Sequence, residues 1–230
     1  MDLVEMRFSF PEPRFFHNRR TAWLLEHSRL DERLQGRPRV AVAGSAGKAS
    51  TARFLAFILA EWGRTALATK PPLRETPEGN LERYQHVAHG ASRWLDEETF
   101  AAYASELAPH VEQLISARPD LGPPAPYDLR AWIVGRMCSE DGLICGIQEA
   151  NIGLLEDPLG AFPAPTVTML TPIGEDHAAM LTPPEDLLHL GPAAGPVWHK
   201  AGGLAAAPVV IGRQREDLLP TILHLAEQRG

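Results

Sequence analysis

The chain has 230 residues, 44% of them hydrophobic and 22% charged, with a formal net charge of −7: ordinary proportions for a globular protein with one sizeable core. The acidic balance and the lack of a basic stripe argue against nucleic acid as the partner, and no apolar run approaches the roughly 20 residues that span a bilayer. Met1–Met6 carry acids in place of a signal-type apolar stretch, and Cys138 and Cys145 are too few for a disulfide framework or a four-ligand zinc site, so a reducing, cytoplasmic setting is expected.

Along the chain, strand and helix signals alternate. Residues 19–35 read as one amphipathic helix (Trp23, Leu24, Leu25, Leu30, Leu34) ended by Gly36 and Pro38, within an N-terminal helical segment, 1–38, that packs on the rest. A strand at 39–43 leads to a helix at 48–62, closed by Gly63, and a short strand at 65–69 follows. Residues 70–92 are polar and rich in Pro and Gly, which predicts a surface loop. Helical period resumes over 97–117, where Pro109 predicts a kink or a split. A Pro-rich linker at 119–126 precedes a helix at 127–139. Strands are expected at 142–149, 166–171 and 208–211, and a final helix at 215–229. Buried strands alternating with helices predict a single α/β domain over 1–230, its central, mostly parallel sheet covered on both faces.

The segment Val40–Thr51, Val-Ala-Val-Ala-Gly-Ser-Ala-Gly-Lys-Ala-Ser-Thr, carries the most chemistry. A short apolar strand ends in Gly44, a tight loop follows, and Lys48 opens a helix. Backbone N–H groups at a helix N-terminus, with one lysine, hold phosphates, and Gly44 and Gly47 let the backbone turn and approach phosphate oxygens. The common phosphate-loop pattern asks for Gly where Val42 stands and Ser or Thr where Ala49 stands, so an ordinary strand-to-helix turn is the plain alternative. Lysine is scarce: Lys48, Lys70 and Lys200 are the only three among 22 Lys and Arg. A lysine kept in an arginine-rich chain suits a role for a compact point charge or a reactive amine.

The order of motifs resembles the folylpolyglutamate synthases of the Mur ligase superfamily. Gly44-Ser45-Ala46-Gly47-Lys48-Ala49-Ser50-Thr51 is similar to that family's Gly-Thr-Asn-Gly-Lys-Gly-Ser-Thr loop, which lacks the early glycine and places its hydroxyls later. Thr69-Lys70-Pro71-Pro72-Leu73 stands where the family has Thr-Ser-Pro-His-Leu. The run Gln148–Asp157 resembles its acidic strand end, Leu-Glu-Val-Gly-Leu-Gly-Gly-Arg-Leu-Asp. Thr171-Pro172-Ile173-Gly174-Glu175-Asp176-His177 resembles its Thr-Asn-Ile-Gly-Leu-Asp-His. His199-Lys200-Ala201-Gly202, followed by Pro208–Gly212, resembles its Glu-Lys-Ala-Gly and Pro-Val-Val-Thr-Gly.

The resemblance implies a P-loop-like Mur ligase ATP-binding domain that joins an acid to an amino acid through an acyl phosphate. It implies ATP held by Gly44–Thr51 with Lys70 nearby, and Mg²⁺ held by Ser50, Glu149 and His177. Lys48, His177 and Lys200 would serve catalysis, Lys200 matching a lysine that is carbamylated in the family. Counting straight from His177 puts Pro192 at that last position, and Lys200 reaches it only with an insertion, for which Leu190–Trp198 is the candidate. Lys70 where the family has a magnesium-contacting serine, Pro72 for its histidine, and the loss of Gly-Gly-Arg at Gly153-Leu154-Leu155 set this chain apart. The expectations are nucleotide binding with weakened or lost Mg²⁺, and no amide product without a partner that supplies the family's C-terminal domain. A non-catalytic nucleotide-binding or interaction module is the second reading.

Overall fold

The computed structural model describes residues 18–69, 83–204 and 207–228. The sheet has seven strands: β1 (Arg39–Ala43), β2 (Arg64–Ala68), β3 (Tyr84–Ala88), β4 (Ala91–Trp94), β5 (Leu143–Glu149), β6 (Val167–Leu170) and β7 (Val209–Ile211). Their order is β4-β3-β2-β5-β1-β6-β7. β2, β5, β1, β6 and β7 run parallel, and the β3–β4 hairpin adds an antiparallel edge on β2. Every residue of β1 is buried, as expected of a central strand covered on both faces.

Alternation along the strands sorts the core into layers. Val40 and Val42 of β1, with Cys145 and Ile147 of β5, pack against Ala52, Ala56 and Ala60 in and just beyond α3 (Lys48–Leu59). Ala41 and Ala43 point the other way, onto α6 (Ala194–Ala201) and α7 (Leu219–Glu227). A second group of helices shares that face beyond β5: α1 (Arg19–His27), α2 (Leu30–Leu34), α4 (Glu97–Ala117) and α5 (Pro126–Cys138), centred on the buried Trp132. The expected mostly parallel sheet with helices on both faces is the architecture observed.

Three local expectations are corrected. The helix at 19–35 is two helices: Arg29 adopts a left-handed conformation, and the Ser28 hydroxyl donates to Leu24 O (2.6 Å) while accepting the Trp132 indole N–H (2.9 Å). Of the loop expected over 70–92, residues 70–82 lie outside the described residues, and 84–94 form the β3–β4 hairpin, whose two turn residues, His89 and Gly90, both have positive φ. That is the mirror-image turn suited to strand twist, here built with His-Gly in place of the usual Asn-Gly. Pro109 neither splits nor ends α4, which runs unbroken from Glu97 to Ala117. Its buried face of Tyr103, Leu107, Val111 and Leu114 explains this: burial contributes about 1.5–3 kcal/mol per large side chain, more together than the ~3 kcal/mol cost of a helical proline. Residues Glu185–Ala193 form a 3-10 segment running into α6, so the candidate insertion Leu190–Trp198 falls in helical structure.

Candidate functional site

The loop between β1 and α3 lies at the C-terminal edge of the sheet, beside the switch point where the chain moves from one side of β1 to the other. Open α/β sheets bind ligands there. Gly44 has φ +129 and is buried against Thr171, so a side chain at this position would collide with the Thr171 side chain and carbonyl. Thr171 N–H and its hydroxyl both donate to Ala43 O (2.8 and 3.0 Å), and Ser45 N–H donates to Pro172 O (2.9 Å). The β1 and β6 loops are thereby locked together, which requires a glycine at 44.

Gly47, with φ +82 and open space around it, is the N-cap of α3 and offers no side-chain cap. The first bond into the helix is from Thr51 N–H to Gly47 O (2.9 Å). The N–H groups of Gly47, Lys48, Ala49 and Ser50 are therefore the donors that a helix start leaves unpaired. Ala46, Gly47 and Ser50 are exposed, and Lys48, Ala49 and Thr51 partly so. Lys48 Nζ donates to Ser45 O (3.3 Å) and meets no carboxylate among the described residues. The arrangement is an uncapped, positively polarised helix end with one ammonium across it, which suits an anion.

Behind the loop sits a charged cluster that sequence reasoning grasped only in part. Lys200 is fully buried (0% exposed) and lies on α6. Its ammonium donates to Asp176 Oδ1 (2.6 Å) and Ser45 Oγ (2.8 Å). Ser45 Oγ also donates to Asp176 and accepts Gly174 N–H (2.8 Å), so one hydroxyl ties together the β1 loop, the β6 loop and α6. Burial and the neighbouring Lys48 charge draw the Lys200 amine below the usual lysine range, against the pull of Asp176. Burial also opposes ionisation of Asp176, but the hydrogen bonds from Lys200 and Ser45 outweigh it and hold that carboxyl below the ordinary aspartate value. Lys200, and not Pro192, is the residue that reaches this cluster. Pro192 lies within the 3-10 segment preceding α6.

Two glycine-bearing motifs place α6. Gly153 and Gly203 leave no room for a side chain, because their Cβ positions coincide with backbone of His199 and of Leu154–Leu155. Leu154 and Leu155 N–H both donate to His199 O (2.9 and 3.1 Å). The strand-end run after β5 is thus fitted against the helix that carries Lys200.

The remaining predicted residues are spread along the same edge. His177, at φ +62, follows Asp176, with Nε2 3.8 Å from Asp176 Oδ2. Glu149 ends β5 in register with Val42 of β1, one strand from the Lys48 loop. It lines a cavity on the β2 side, shared with Arg83, Tyr127 and Arg130. Lys70 lies outside the described residues. Sequence reading passed over Asp176 as a site residue, although Asp-His after a strand end was the available signal. It gave no hint of Arg83 or Arg130, whose relevance comes only from the fold.

No protein-family model matches the chain, and no curated protein matches it. Solved structures do. The apo form of L. casei folylpolyglutamate synthase superposes with a TM-score of 0.74 at 20% identity, over 99% of this chain and 50% of that one. The Mycobacterium tuberculosis enzyme complexed with ADP and AMPPCP gives 0.72 at 23% identity, over 93% and 46%. The Thermotoga maritima enzyme gives 0.70 at 17% identity, over 94% and 45%. This chain therefore has the α/β fold of the folylpolyglutamate synthases, over about half of their length.

Proposed function

We propose that this chain is the adenine-nucleotide-binding part of an ATP-dependent acid–amino acid ligase of the folylpolyglutamate synthase type. The observation that carries the proposal is the uncapped start of α3 at the end of the central strand, with Lys48 across it and the Ser45–Asp176–Lys200 cluster behind it. The M. tuberculosis synthase complexed with ADP and AMPPCP supports the choice of ligand. In this reading the N–H groups of Gly47–Ser50 hold phosphate oxygens, and Lys48 places a point charge at the terminal phosphates. Phosphoryl transfer depends mainly on such positioning and charge neutralisation. An acid carboxylate attacks the γ-phosphorus, the bond to the β–γ bridging oxygen breaks, and ADP leaves. An amine then displaces phosphate from the acyl phosphate to form the amide.

Lys200 and Asp176 would rigidify the loop and add charge behind it. The 2.6 Å pairing is that of an unmodified amine, so the carbamylation implied by resemblance would have to displace Asp176 from it. Magnesium fits in part. Among the described residues no three His, Cys, Asp or Glu side chains form a metal-holding group. The Ser50 hydroxyl and the Glu149 carboxylate are oxygen donors of the kind Mg²⁺ takes beside phosphates and water. The His177 imidazole matches it less well, and the adjacent Asp176 is engaged by Lys200. Mg²⁺ entering with the nucleotide would be held by Ser50 and Glu149 and would neutralise phosphate charge. Amide formation also requires a further structural unit, on this polypeptide or another, that shields the acyl phosphate from water.

Amide hydrogen exchange with and without AMPPCP tests the assignment. Protection is expected in the peptides covering 44–51 and 171–177. Protection confined to other regions, or none at saturating AMPPCP, would refute it.

A further inference from the structure

We propose that the outward face of α3 is the contact between two copies of this chain, paired antiparallel about a two-fold axis at Ile58. The sheet is covered unequally. Among the described residues α3 is the one α-helix packed on the face that carries Val42, Val87 and Ile147, while the other six α-helices lie on the opposite face. Trp94 of β4 pairs with Gln85, two residues from Val87, and Val210 of β7 pairs with Met169, itself paired with Val42. Cross-strand partners share a face, so these two half-exposed side chains mark an open α3 face at both edges of the sheet.

On α3 itself the burial follows helical spacing. Ala52, Ala56 and Ala60 face the sheet and are fully buried. Phe54, Ile58 and Trp62 point away from it, at 71%, 57% and 73% exposed. Trp62 stands in the tighter turn that continues α3, its N–H donating to Leu59 O (3.0 Å). Intervals of four residues set the three side chains in one stripe. Single exposed apolar residues are ordinary, but three bulky ones in a row form a continuous patch of about 400 Å², of the kind that marks an interface.

The stripe is symmetric about its middle residue, which selects a second copy as the occupant. One aromatic ring stands four residues before Ile58 and another four after it. A two-fold antiparallel partner therefore lays Phe54 on the partner's Trp62 and Ile58 on the partner's Ile58. The charges select the same orientation. Arg53 and Glu61 are exposed, and among the described residues neither has an ion pair. Antiparallel pairing brings each Arg53 within a helical turn of the partner's Glu61, whereas parallel pairing sets like charges side by side. This face is thus balanced in a chain whose net charge of −7 repels a second copy elsewhere.

Area sets the strength. Two stripes bury about 800 Å² together, and flanking side chains extend this to about 1,200 Å², the lower end of specific interfaces. A dissociation constant of about 10–100 µM is expected. Lys48 stands about 15 Å along the helix from the axis, so both phosphate loops stay open, and the inference does not rest on the nucleotide reading.

Sedimentation velocity of the full chain over about 1–300 µM tests it. Wild type should pass from monomer to dimer within that range. Ile58→Glu sets two carboxylates face to face on the axis and should stay monomeric throughout. Arg53→Glu should weaken association about tenfold, and adding Glu61→Arg should restore it. Ile58→Cys should form a disulfide-linked dimer under mild oxidation, since Cys138 and Cys145 are buried and do not compete. All these positions are exposed, so the melting temperature of each dilute variant should match wild type. A wild type that stays monomeric at the highest concentration, as it would if another part of the polypeptide or another protein covered the face, overturns the proposal. So does unchanged association of Ile58→Glu, or a charge reversal that the second reversal fails to rescue. A lower melting temperature of dilute Ile58→Glu would mean that the face is covered within one chain, and would overturn it as well.

Discussion

At the scale of single residues, the account rests on Lys200 and Asp176. A buried ion pair contributes little net stability, but removing one partner strands the other's charge. Asp176→Asn should therefore destabilise the fold by about 3 kcal/mol in urea denaturation. Adding Lys200→Met to that variant should restore most of the loss, because the double change leaves no buried charge. Additive losses in the double variant would contradict the pairing. The pH dependence has a definite sign. Asp176 is held below its ordinary value of 3.8, so its contribution is present above that pH and is lost as pH falls through the lower folded value. The stability gap between wild type and Asp176→Asn should accordingly narrow below pH 3.8 and stay constant from there to neutrality. Gly44→Ala is a separate case: positive φ and the collision with Thr171 should cost several kcal/mol, read as a fall in the denaturation midpoint. A midpoint equal to wild type would mean that the β1 and β6 loops are not locked at this position.

At the scale of elements, what was legible depended on whether the signal was local. The β1–loop–α3 unit was readable because its strand run, glycines and lysine are contiguous. The β3–β4 hairpin was missed because its turn uses His89-Gly90, and because its pairing to β2 is not visible in the polar run around it. The break between α1 and α2 was missed because Ser28 is fixed by Trp132, more than a hundred residues away in the chain. The split allowed at Pro109 does not occur, for the opposite reason: the local rule was visible and the packing that holds α4 together was not. The proline remains a cost. It is exposed on α4, so Pro109→Ala should stabilise the protein by about 1–3 kcal/mol, less what the unfolded chain gains in freedom. A loss of stability on that substitution would show that α4 depends on the proline.

At the scale of the whole molecule, the strand order carries the functional argument. Inserting β5 between β2 and β1 brings Glu149 beside the Lys48 loop, and placing β6 on the other side of β1 brings Asp176 and His177 to it. The motif order in the sequence foreshadowed this edge, since the Gly44, Gln148 and Thr171 motifs each lie at the end of a strand. Arg83 and Arg130 did not show, because Arg83 follows a polar run of sequence and Arg130 sits within a helix; only the fold brings both to the cavity that Glu149 lines. The Lys48 loop is thus the element on which sequence and strand order converge. Calorimetric titration of ATP, with and without Mg²⁺, into the full chain and its Lys48→Ala variant tests it most directly. The account predicts binding by wild type that persists without Mg²⁺ and weakens about tenfold or more in the variant. Equal binding by the two proteins, or no binding by either, would contradict it.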